Sequence, residues 1–152
     1  MAQEEVYGTR DRSYSAWHRR QSTRRFIGIE KAQLLAMIDL DAALYVEYDD
    51  KTKEPLALIE TAQDIGQEYK SATVTGKLAQ RCKPLLLAYV LLYKLSTQPN
   101  PADTQWKDIE GFRVKRIWPD PQPEWITYNP QEWAELLVQL REWSARGVDK
   151  GK

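Results

Sequence analysis

Hydrophobic and polar residues alternate most clearly between Leu35 and Tyr48. Met37, Asp39, Asp41, Ala43, Tyr45 and Glu47 fall on one side, with Ile38, Leu40, Ala42, Leu44 and Val46 on the other. A period of two is that of a strand with one face buried. A polar turn, DDKTKEP, ends at Pro55 and separates this run from Leu56 to Ala62, an apolar stretch in which Glu60 is the single charge. Two strands joined by a turn are predicted. Asp64 is placed to cap a helix from about Ile65 to Gln80, with Gln67, Lys70 and Val74 at helical spacing. Leu85 to Tyr93, opened by Pro84, is an apolar run that reads as a central strand covered on both faces. With the preceding helix it forms a parallel crossover. Residues 96–109 read as a long polar, lid-like loop, Phe112 to Trp118 as an alternating strand, and Pro119 to Tyr128 as a proline-rich connection. Asn129 and Pro130 then open a C-terminal helix whose Trp133, Leu136, Leu137, Leu140 and Trp143 form one apolar stripe, with Gly147 as its stop. Near the N-terminus, one amphipathic helix is expected around SYSAWHRR, packing Tyr14 and Trp17 on the core, and a short one from Gly28 to about Leu35. The expected fold is α/β or α+β, a mixed sheet of about four strands flanked by helices.

The carboxylates of the first two strands change this picture. If Glu47 pairs with Leu56, Ala43 lies opposite Glu60 and Asp41 opposite Ala62, so Asp41 and Glu60 become diagonal neighbours on one face. Carboxylates gathered so closely repel unless a proton or a hard divalent cation sits between them. Asp41 and Glu60, with Asp39, are therefore candidate ligands for Mg²⁺ or Mn²⁺.

Composition narrows the class. A chain of 152 residues is expected to form a single domain, with residues 1–9 and 147–152 as frayed ends and 10–25 as a basic arm. Basic and acidic residues balance at 22 each, so only their distribution can point to a polyanion. That distribution is uneven: RDRSYSAWHRRQSTRR holds six arginines and His18 against Asp11. Arg19, Arg20, Arg24 and Arg25, interleaved with aromatics, are candidate phosphate contacts, or else the solvated face of a helix. His18 reads as a surface residue or a phosphate contact. Arg113 and Lys115 give the Phe112–Trp118 strand a basic face that either meets a polyanion or blunts a sheet edge. The lone Cys82 excludes an internal disulfide and points to a reducing, cytoplasmic setting, and no apolar run approaches membrane-spanning length.

An Asp on one strand, a Glu about 20 residues later on the next, and a helix behind them resemble the restriction-endonuclease-like, or PD-(D/E)XK, nuclease superfamily. The resemblance covers roughly residues 30 to 118. The wording IDLD...PLALIE also looks like phage and prophage proteins of about this length. In the superfamily the second half of the motif is Glu-x-Lys; here it reads Glu60-Thr61-Ala62, so Ala62 stands at the Lys position. Some members carry the Lys on the following helix, and some a Gln beside the metal, which makes Lys70 and Gln67 the candidates in this chain. The resemblance also gives Glu30, on the first helix, an outer-shell contact to the metal, beside its plainer role as a first-turn Glu.

Three readings follow. One is a metal-dependent phosphodiesterase acting on DNA, with Asp41 and Glu60 on Mg²⁺ and Lys70 replacing the strand Lys. The second is a nuclease-like fold without catalysis that binds DNA or a host or phage protein, for example against a host defence system. The third is an interaction module whose acidic hairpin is a solvated edge. A homodimer is compatible with all three, since the Trp-rich C-terminal part offers an interface.

Overall fold

The computed structural model describes Ser13, Trp17 and residues 20–36, 40–48, 50–83 and 86–151. The chain divides into two compact units, Met1–Asp39 and Leu40–Lys152. The first contains α1 (Arg20–Ile27) and α2 (Ile29–Ala32). Gly28 separates them at φ +82, a left-handed conformation that a residue without Cβ adopts at little cost.

The second unit is α+β: a mixed sheet of five strands with a helix on each face. Its elements are β1 (Ala42–Glu47), β2 (Lys53–Gln63), α3 (Thr73–Gln80), β3 (Leu87–Asn100), β4 (Asp103–Trp118), β5 (Ile126–Tyr128) and α4 (Pro130–Gly151). The strands lie side by side in chain order, and every pair is antiparallel except β2 with β3. That parallel pair is joined through α3, as the apolar run at 85–93 predicted. On one face Ala57, Ile59, Leu87, Tyr89, Leu91 and Val114 pack under Trp133 and Leu140 of α4. On the other, Leu58, Leu86 and Ala88 pack with Ala79 of α3 and with Ile117 and Trp118. Burial on both sides is why β3 reads as a continuous apolar run rather than an alternating one.

Several predicted boundaries move. The first strand begins at Ala42, and Met37, Ile38 and Asp39 lie outside the described residues. Pro55 lies inside β2 rather than ending the turn; it sits opposite Tyr45 where the β1–β2 register shifts, before the pairing with β3 starts at Ala57. A proline is accommodated there because no ladder hydrogen bond is demanded of it. The helix expected from Ile65 starts only at Thr73, and Asp64 does not cap it. Residues 96–109 are no lid: Leu95 pairs with Ile109 and Pro99 with Lys107, so β3 and β4 continue as a polar ribbon that turns at Pro101 and Ala102. With both faces solvated, such a ribbon carries no hydrophobic period for sequence to reveal. β4 is also not an edge, because β5 covers it from Phe112 to Val114.

At the C-terminal helix the Asn129 side chain accepts from the Glu132 N–H at 2.7 Å, and Glu132 accepts from the Asn129 N–H at 2.9 Å. This reciprocal capping box fixes the start that Asn129 and Pro130 predicted. The helix continues past Gly147 to Gly151. Of its two stripe tryptophans, Trp133 is 6% exposed and Trp143 is 53% exposed, so only the first belongs to the core.

Candidate functional site

β2 carries Leu58, Glu60 and Ala62 on the face covered by α3, so Glu60 enters the edge of an apolar layer with its carboxylate half-buried. The β1–β2 register runs Ala42 to Ile59 and Ala43 to Leu58. It differs from the expected pairing by two residues, which preserves the face and brings Asp41 beside Glu60 directly instead of diagonally. Asp41 Oδ2 accepts a hydrogen bond from the Thr61 N–H at 2.9 Å, which holds the first carboxylate to the strand of the second.

Glu60 has two further partners. Thr75 Oγ1 donates to its Oε2 at 3.3 Å, and the Lys70 ammonium stands 3.7 Å from its Oε1. Burial, and then the neighbouring Asp41 charge, raise the Glu60 carboxyl above its ordinary range; Lys70 and Thr75 pull the other way and do not win. The fold therefore favours the protonated form of this carboxyl. Thr75 is 2% exposed, on the first turn of α3. Threonine is a weak helix former, and a buried hydroxyl near a strand carboxylate has no linear signature.

The loop between β2 and α3 is braced rather than helical. Arg113 on β4 donates from Nε and Nη2 to both Asp64 oxygens at 2.9 and 2.7 Å, and Nη2 also reaches the Gln67 carbonyl at 2.8 Å. This bidentate pair holds the Asp64 carboxyl down at about 2. Asp64 also accepts from the N–H of Gly66, whose φ of +88 makes the turn. Gln67 accepts from the Ile65 N–H at 2.8 Å and donates to the Gln63 carbonyl at 2.9 Å, so its amide staples the loop to itself. Lys70 is delivered to Glu60 by this loop and not by a helix face. Trp125 donates its indole N–H to the Glu68 carbonyl at 2.9 Å, and its ring lies under Arg113 and Lys115 at 5.3 and 4.9 Å.

Glu30, Arg24 and Arg25 are exposed in the Met1–Asp39 unit, where Arg25 stacks over Phe26 at 5.0 Å and donates to the Ser22 carbonyl. His18, Arg19 and Asp39 lie outside the described residues, as does the side chain of Arg20. Arg113, a candidate nucleic-acid contact, is instead spent on Asp64 and the loop. Asp41 and Glu60 are two carboxylates side by side, and among the described residues no group of three or more His, Cys, Asp or Glu that could hold a metal ion is gathered. Mg²⁺ needs no more, since it commonly binds through one or two carboxylates and completes its shell with water and substrate phosphate. Among the described residues no helix is long and apolar enough to cross a membrane.

Comparison of this chain with known protein families, curated proteins and solved structures finds no match.

Proposed function

We propose that this chain is a metal-dependent phosphodiesterase of the PD-(D/E)XK type acting on DNA in the cytoplasm. The observation that carries the reading is the convergence of Asp41, Glu60 and Lys70 from a strand start, a central strand and a loop. Asp41 and Glu60 would hold Mg²⁺ or Mn²⁺, which when bound lowers the pKa of water and neutralises charge on phosphate oxygens. Lys70 takes over from the lysine that position 62 lacks, its ammonium placed to stabilise the negative charge that builds on a phosphate in the transition state. Thr75 orients Glu60, and the Asp64–Arg113 brace keeps Lys70 in reach. Gln67 serves the loop in this reading.

Calorimetric titration of Mn²⁺ into the wild type and Glu60→Ala, followed by a plasmid-nicking assay on the same samples, tests the proposal. Metal binding and nicking are expected in the wild type and neither in the variant; equal nicking by purified Glu60→Ala overturns it.

A catalytically silent, DNA-binding or protein-binding version is favoured by one observation, that the ammonium of Lys70 already occupies Glu60 at 3.7 Å as a cation would. It predicts DNA or protein binding that persists in EDTA, with no turnover.

A further inference from the structure

Tyr69 is 76% exposed and has no ring or cation partner among the described residues, although its neighbours on either side have partners of their own. Just before it, the carbonyls of Gln67 and Glu68 accept from Arg113 and Trp125; just after it, Lys70 reaches Glu60. Single exposed aromatics are ordinary on protein surfaces. An aromatic held at a fixed place between an indole brace and a site lysine, with its ring left in solvent, is a platform without an occupant.

The sheet supplies a charge on the face that carries Glu60. Glu60 pairs with Val90 and Val90 with Lys115, so Glu60 and Lys115 occupy one row of one face, two strands apart, with Cα atoms about 10 Å from each other. Lys115 rests on the Trp125 ring and has no carboxylate partner among the described residues. Its long stem lets the ammonium meet a phosphate next to the one at Glu60.

We infer that Tyr69 and Lys115 flank the Glu60 site as a subsite for single-stranded DNA, Tyr69 stacking on an unpaired base and Lys115 binding the adjoining phosphate. The inference rests on the phosphodiesterase reading and deepens it by naming the form of the substrate. Bases in a duplex are already stacked on their neighbours and offer no free face, so a ring of this kind selects an unpaired nucleotide.

Fluorescence anisotropy with a labelled single-stranded oligonucleotide and with its blunt duplex, both in EDTA to prevent cleavage, tests this on the full-length chain. The single strand is expected to bind more tightly. Tyr69→Ala should weaken its binding roughly tenfold, the loss of one stacked base, while Tyr69→Phe keeps it. Lys115→Gln should lower the slope of log affinity against log salt by about 0.7, one phosphate contact on a single strand. Circular dichroism melts of each variant establish that it is folded. Unchanged binding by Tyr69→Ala, or equal loss in Tyr69→Phe, overturns the subsite. Mn²⁺ titration of the same wild-type preparation separates the two failures: metal bound at the carboxylate pair with an indifferent Tyr69 sinks the subsite alone, whereas no metal and no DNA binding sinks both.

Discussion

Lys70 Nζ lies 3.7 Å from Glu60 Oε1 across a loop that is held in place by Arg113, not by helical hydrogen bonds. A lysine at position 62 would share a strand face with Glu60 by the period of two; Lys70 reaches the same carboxylate by a longer path through residues 64–69. The charge at Glu60 is therefore tied to the integrity of that loop.

Glu60→Gln is expected to melt no lower than the wild type at pH 8 in EDTA. The Glu60 carboxyl is raised, by burial first and Asp41 second, so the fold favours its protonated form. Its contribution is fully present below the unfolded pKa and is lost as pH rises through the higher folded value, leaving a net cost at pH 8 that the neutral amide removes. Mn²⁺ should raise the melting temperature of the wild type and not of the variant. A variant that melts well below the wild type would mean that Lys70 and Thr75 outweigh burial and Asp41.

Asp64→Asn should destabilise the protein at pH 7 by about 1 to 2 kcal/mol, allowing for partial solvent screening of the pair. The sign for this depressed carboxyl is opposite: its stability is present above the unfolded pKa of 3.8 and is lost as pH falls through the folded value of about 2. Urea unfolding of wild type and variant should accordingly converge between about pH 4 and pH 2. Parallel curves across that window would show that the Arg113 pair adds nothing.

Trp133→Ala and Trp143→Ala should differ sharply although both residues belong to one helical stripe. The buried Trp133 packs near Phe112 and Tyr128, with ring centroids at 6.0 and 6.1 Å, and its loss should cost about 3 to 5 kcal/mol. The exposed Trp143 should cost about 0.5 kcal/mol or less. Chemical denaturation midpoints decide it, and equal losses would place Trp143 in a packed environment.

Asn129→Ala removes one half of the capping box and should cost about 1 kcal/mol, within the usual range for such caps. Asn129→Asp should retain it. A neutral alanine variant would mean that the packing of Trp133 and Leu140 sets the helix start by itself.

Much of the fold is legible in the chain wherever one face of an element is buried. Burial on one side imposes the alternation of Phe112 and Val114 with Arg113 and Lys115 and the stripe of the C-terminal helix, while burial on both sides makes Leu56 to Ile59 a continuous apolar run. Where neither face is buried, as in the ribbon formed by residues 95–109, no pattern remains and a loop is the natural reading. The loop at residues 64–72 misleads for another reason. Gln67, Lys70 and Val74 have helical spacing, but Arg113, 49 residues away, holds Asp64 where it cannot act as a cap. No local pattern reports a partner at that separation.

At the site, sequence alone marked Asp41, Glu60 and Lys70 as residues to watch, because charges inside apolar alternation need a reason and because their spacing resembles a known motif. It also determined the crossover from β2 to β3, since an apolar strand buried on both faces requires a covering helix. Tertiary structure decided the rest. It set the two-residue register that places Asp41 directly beside Glu60, brought Thr75 to the same carboxylate, and used Arg113 and Trp125 to hold the loop that carries Lys70. Period and composition are properties of neighbouring residues and are written along the chain. Register and long-range pairing arise from how distant strands fit together, so they exist only once the sheet has formed.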